Sequence, residues 1–121
     1  MKLKILIVDD YVEFAGSLKD LLETKGYHTD VAYGGQEAVE RVKKEKFDIV
    51  LMDIRMPGMS GEEALVEIKK IDPALVVILM TGFAVEEVIK SALEEGALAV
   101  LNKPLNIPEL LQYVESGRSN E

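Results

Sequence analysis

Short apolar runs alternate along the chain with stretches whose apolar residues recur at helical spacing. Leu3–Val8 reads as a buried strand. Phe14, Leu18, Leu21 and Leu22 then mark one face of a helix that stops at Gly26, a residue suited to the position after a helix end. A second strand is predicted over Thr29–Tyr33. Gly34-Gly35 and a short helix with Ala38, Val39 and Val42 inward come next. Phe47–Met52 reads as the third strand, followed by the loop Met56-Pro57-Gly58-Met59-Ser60-Gly61. The third helix turns Ala64, Leu65, Ile68 and Ile71 to one side and ends at Asp72-Pro73, because a residue before proline is pushed out of the α region. Leu75–Met80 is the fourth strand. Val85, Val88, Ile89, Ala92 and Leu93 form an amphipathic stripe closed by Gly96. Ala97–Leu101 is the fifth strand. Asn106 with Glu109 forms a capping pair, Pro108 suits a first turn, and Ile107, Leu110, Leu111 and Val114 face the core.

Apolar strands that alternate with helices imply an α/β fold, a parallel sheet covered by helices on both faces. In such folds the strand C-termini share one edge, where ligands bind. Here the first strand runs into Asp9-Asp10, the third into Asp53, the fourth into Thr81, and the fifth, after Asn102, into Lys103-Pro104. Three carboxylates, a hydroxyl and an ammonium are thus expected in one pocket. Acids that hold a divalent cation, with donors for phosphate oxygens, make a phosphoryl-transfer site. Each residue also has a plainer use: Asp53 in a turn, Asp9-Asp10 at a helix N-terminus, Thr81 as a strand end and Lys103 as a solvated side chain.

The chain of 121 residues is long enough for one domain and too short for two. Residues 1–116 are assigned to that domain and 117–121 to a polar tail or the start of a linker. No apolar run is long enough for a membrane span or a signal peptide, so a cytoplasmic location is expected. Cysteine is absent, which excludes disulfides and thiolate chemistry. The net charge of −8, from 22 acids and 14 bases, argues against direct nucleic-acid binding by this domain. The single histidine, His28, follows Gly26 near a strand start and reads as a surface residue. The methionines read as packing residues, and Gly58 and Gly61 as turn residues.

Ile-Leu-Ile-Val-Asp-Asp at 5–10, Leu-Met-Asp-Ile-Arg-Met-Pro-Gly-Met-Ser-Gly at 51–61, Met-Thr-Gly at 80–82 and Asn-Lys-Pro at 102–104 together resemble the response-regulator receiver domain of two-component signalling. The resemblance implies a flavodoxin-like doubly wound sheet of strand order 2-1-3-4-5. It implies that a histidine kinase phosphorylates Asp53 with Mg²⁺ as cofactor. Asp10 and Asp53 would bind the ion directly, Asp9 mainly through water, and the backbone carbonyl of Arg55 would complete the protein ligands. Lys103 would pair with a phosphoryl oxygen, Thr81 would follow it, and the N–H groups of Ile54 and Gly82 would donate to the phosphoryl group. The Lys103-Pro104 bond would be cis, and Gly82 would let the backbone approach closely. Phosphorylation would switch the surface around the fourth helix, fifth strand and fifth helix. That surface would control an output protein or fused output domain, and a homodimer on phosphorylation is allowed. Such a domain is a signalling module and not a metabolic enzyme, although it assists its own phosphorylation and dephosphorylation.

One position departs from the pattern. Many receivers carry Tyr or Phe three residues before the lysine as a switch that turns inward with the threonine, whereas this chain has Val100. Other readings compete. An aspartate-nucleophile phosphatase would want Asp-x-Asp after the first strand, and an FMN carrier would want a Ser/Thr/Gly-rich loop where Asp9-Asp10 stands. A receiver-like protein-binding module that works without phosphorylation would not need the intact set of acids.

Overall fold

In a computed structural model, described for residues 3–119, the chain forms a five-stranded sheet of order β2-β1-β3-β4-β5 with every pairing parallel. The elements are β1 (Lys4–Val8), α1 (Val12–Thr24), β2 (His28–Ala32), α2 (Gly35–Lys44), β3 (Ile49–Asp53), α3 (Gly61–Ile71), β4 (Val76–Thr81), α4 (Glu86–Glu94), β5 (Ala99–Asn102) and α5 (Ile107–Ser119). Every predicted element forms, with ends shifted by one or two residues. The polar stretch after residue 116 continues α5 through Ser119, and residues 120 and 121 lie outside the described ones.

Alternation along the strands splits the apolar residues into two cores. Leu6, Val8, Val50, Met52, Val77 and Leu79 pack with α2, α3 and α4. Ile5, Ile7, Ile49, Leu51, Ile78 and Met80 pack on the other face with α1 and α5. Strands buried on both faces must be apolar at every position, which explains the unbroken runs in the sequence.

Two helices bury less than their spacing suggests. On α4 only Ala92 is fully buried; Val85, Val88 and Ile89 are half-buried and Leu93 is 47% exposed. On α3, Ala64, Leu65 and Ile68 are buried, but Ile71, in the last turn, is exposed. Ser60 and Glu63 form a capping box that fixes the start of α3. Asn106 Oδ1 accepts the N–H of Glu109 at 2.9 Å, as the capping pair at α5 requires. Gly26 and Gly96 end α1 and α4 at φ 97° and 109°, in the left-handed region open to glycine.

Candidate functional site

Register brings the site residues together. Val8 pairs with Met52, so the next residues, Asp9 and Asp53, stand abreast on neighbouring strands. Asp53 pairs with Met80 and Thr81 with Asn102, so Thr81 and Lys103 follow on the next two strands. Asp9, Asp10 and Asp53 each offer a carboxylate oxygen, and these lie within 4.8 Å of one another. Asp9 is fully buried, Asp53 is 8% exposed and Asp10 faces solvent.

Lys103 closes the cluster. Its ammonium donates to Asp9 Oδ2 at 2.6 Å and lies 3.7 Å from Asp53 Oδ1. The bond to Pro104 is cis, as the resemblance implies. Asp9 also accepts the N–H of Tyr11 at 2.9 Å through Oδ1, so both its oxygens are engaged. Thr81 is 2% exposed, and its hydroxyl accepts the N–H of Phe83 at 3.1 Å. The side chain of Arg55 lies over the ring of Phe83, 5.9 Å from its centroid, linking the loops after β3 and β4.

Burial raises the Asp53 carboxyl above its ordinary pKa. The Lys103 ammonium opposes that shift, Asp9 adds to it, the backbone N–H of Arg55 opposes it by bonding to the carboxylate, and Asp10 adds a little. This is excess negative charge in a low-dielectric recess. Such a donor set, a few oxygens with one acid open to water, fits a small hard cation that keeps part of its hydration shell. It suits Mg²⁺, which receiver domains bind at an acidic pocket.

One backbone expectation needs correction. The Ile54 N–H donates to the Met80 carbonyl at 2.8 Å, extending the β3–β4 ladder, and so is engaged within the sheet. The amide that reaches the Asp53 carboxylate belongs to Arg55, one residue further on. At Gly82 an added Cβ would meet nothing within 4 Å, so the surrounding chain does not demand glycine there. Gly61 does have to be glycine. An added Cβ would sit 2.3 Å from the Asp53 carbonyl oxygen and 2.8 Å from Ile54 Cα. Its role is close approach, whereas Gly58, at φ 77°, is the turn residue.

Val100 is half-buried on the α4 side of the sheet, packed against that core. His28 is exposed. Met52, Met56 and Met80 are buried and Met59 packs against the core edge, as packing residues should.

A parallel 2-1-3-4-5 sheet with three acids and a lysine at its C-terminal edge defines a class of phosphoryl-handling α/β domain. Within that class the match is specific: the family model of the response regulator receiver domain covers residues 5–115, and the chain belongs to that family. It is 41% identical over 116 residues to the transcriptional regulatory protein ZraR of Salmonella typhimurium, covering 96% of this chain and 26% of that protein. The chain thus spans about a quarter of that relative. It is 39% identical over 115 residues to sporulation initiation phosphotransferase F of Bacillus subtilis, covering 95% of this chain and 93% of that one. A CheY-like receiver domain structure from Methanospirillum hungatei superposes with a TM-score of 0.92 at 32% identity and full coverage of both chains. The CheY of a CheX–CheY–BeF₃–Mg complex from Borrelia burgdorferi superposes with a TM-score of 0.89 at 35% identity, covering 94% of this chain and 87% of that one. Membership of this family sets aside the phosphatase and FMN-carrier readings. No helix among the described residues is long and apolar enough to cross a membrane.

Proposed function

We propose that Asp53 is the phosphoacceptor of a Mg²⁺-dependent switch served by a histidine kinase. The observation that carries this reading is the Lys103 ammonium, bridging Asp9 and Asp53 beside a third acid. Asp10, Asp53 and the Arg55 carbonyl would hold Mg²⁺, with Asp9 acting through water. When bound, the ion offsets negative charge on the acids and on the incoming phosphoryl group.

An Asp53 Oδ attacks phosphorus, a new O–P bond forms, and the bond from phosphorus to the donor's histidine nitrogen breaks, its electron pair remaining on that nitrogen. Lys103 moves from Asp9 to a phosphoryl oxygen. The amides of Arg55 and Gly82 donate to the others. Hydrolysis reverses the state: water attacks phosphorus, inorganic phosphate leaves, and the Asp53 carboxylate returns.

Thr81 would carry the signal outward. Its hydroxyl exchanges the Phe83 N–H for a phosphoryl oxygen, which frees the loop leading into α4. The half-buried apolar residues of α4, with β5 and α5, would form the surface read by an output protein or fused domain, or by a second copy. A coupling of about 1–3 kcal/mol would change partner affinity about 5–150-fold. The acidic domain would not itself contact nucleic acid. We place it in the cytoplasm.

Intact-mass spectrometry after incubation with acetyl phosphate, with and without Mg²⁺, tests the reading on wild type and Asp53→Asn. The expected result is a gain of one phosphoryl group that needs both Mg²⁺ and Asp53. No gain, together with no beryllofluoride adduct, would overturn the phosphorylation switch and leave a protein-binding role.

A further inference from the structure

The spacing of apolar residues on α1 makes Phe14 a core residue, yet only part of it is buried, and the ammonium of Lys103 lies 4.3 Å from its ring centroid. We infer that Phe14 is a positioning residue for phosphoryl transfer, one that holds the Lys103 ammonium over the acids through its ring face. The inference rests on the reading of Asp53 as phosphoacceptor.

Lys103 reaches the site on a flexible four-carbon stem, and holding such a side chain in place costs rotamer entropy. Three groups surround its ammonium: Asp9 Oδ2 at 2.6 Å, Asp53 Oδ1 at 3.7 Å and the Phe14 ring. The two carboxylates bind at fixed points. A ring face attracts a cation over its whole area, without a directional hydrogen bond. Lys103 can therefore move from Asp9 towards a phosphoryl oxygen and keep the ring beneath it throughout. The carboxylates change partners during the reaction and the ring does not. Phe14 is itself fixed by packing against the core of the α1 and α5 face, and it lines a small apolar groove with Leu18, Leu21, Leu105 and Ile107. That packing keeps the ring in place as the ammonium shifts.

Phe14→Leu keeps an apolar side chain in the core and removes the ring; Phe14→Tyr keeps both. Acetyl phosphate is the donor of choice, since a small molecule bypasses any effect on kinase docking. With saturating Mg²⁺, the second-order rate constant of Phe14→Leu is expected to fall about 3- to 30-fold, the range of a cation–ring contact expressed as a rate. Phe14→Tyr should restore it. The Mg²⁺ concentration for half-saturation should not rise in Phe14→Leu, because the ring touches Lys103 and not the metal's ligands. In the metal-free protein, the Lys103 ε-methylene protons should show an upfield ring-current displacement in wild type that Phe14→Leu abolishes. A wild-type rate in Phe14→Leu, failure of Tyr to restore it, weakened Mg²⁺ binding, or no ring-current displacement would each overturn the inference. If wild type itself takes no phosphoryl group, the reading of Asp53 fails first, and this inference with it.

Discussion

Lys103 Nζ sits 2.6 Å from Asp9 Oδ2, a carboxylate shut away from solvent. Without a cation, this lysine is the main compensation for a buried charge, and among the described residues the Asp9 carboxylate has only the Tyr11 N–H besides. Lys103→Met should therefore cost about 1.5–3 kcal/mol of stability in EDTA, the range of a charge-assisted hydrogen bond. Mg²⁺ should recover much of that, because the ion then answers the same charge. Urea unfolding with EDTA and with Mg²⁺ measures both. An equal loss in the two conditions would mean that Lys103 contributes packing and not charge.

Asp53 makes stability depend on pH in a definite direction. Its folded pKa is raised, chiefly by burial. The folded state thus holds the proton more tightly than the unfolded chain does, so stability falls as pH rises from the ordinary aspartate value of about 3.9 through the raised folded value. Asp53→Asn removes this loss. In EDTA at neutral pH the variant should melt above wild type, and the gap should close at pH values below the ordinary aspartate range. Thermal melts across that window check the slope. A constant gap at every pH would trace the effect to something other than ionisation.

Gly61 and Gly82 make an internal contrast. Gly61→Ala would push a methyl group within 2.3 Å of the Asp53 carbonyl oxygen, and the backbone bearing Asp53 would have to move. A loss of about 1–3 kcal/mol is expected from the overpacking alone, together with slower phosphorylation. Gly82→Ala meets nothing within 4 Å, so its stability should stay within about 0.5 kcal/mol of wild type. Urea unfolding of the two variants decides, and equal losses would contradict the packing described.

The strand ends were readable in advance because strands covered on both faces leave nowhere for a charge except their termini, so a polar residue after an apolar run marks the sheet edge. Asp9, Asp53, Thr81 and Lys103 all follow from that rule. The backbone donor did not follow. Whether the Ile54 or the Arg55 amide faces the Asp53 carboxylate depends on how far the β3–β4 ladder extends, and one more hydrogen bond, to the Met80 carbonyl, decided it. The α4 stripe was visible as a pattern, but periodicity shows only which face is apolar. How deeply that face sinks depends on the sheet beneath. At this edge β5 is short and offers α4 little surface. Phe14 showed the same limit, since helical spacing places it on the inner face of α1 but cannot reveal that Lys103, remote in sequence, shares its ring.

Val100 bears on how the proposed signal would leave the site. It pairs with Leu79 across β4 and β5, and its side chain is half-buried on the α4 side. It has no ring to swing inward, so it cannot follow Thr81 as an aromatic switch would. The bonds that do lead outward from Thr81 are local. Its hydroxyl accepts the Phe83 N–H at 3.1 Å, and its carbonyl accepts the Lys103 N–H at 2.8 Å. The Asn102 side chain, beside Lys103, accepts the Ala84 N–H at 3.3 Å. The loop into α4 is therefore tied both to Thr81 and to the end of β5, and neither tie passes through position 100. Val100→Tyr should leave the rate of phosphorylation by acetyl phosphate within about twofold of wild type, the range of a substitution worth about 0.5 kcal/mol. Stopped mass-spectrometric time courses of the two proteins compare the rates. Loss of phosphorylation in Val100→Tyr would instead place position 100 in the acceptor site, because a group that serves only to relay the change lies downstream of the chemistry.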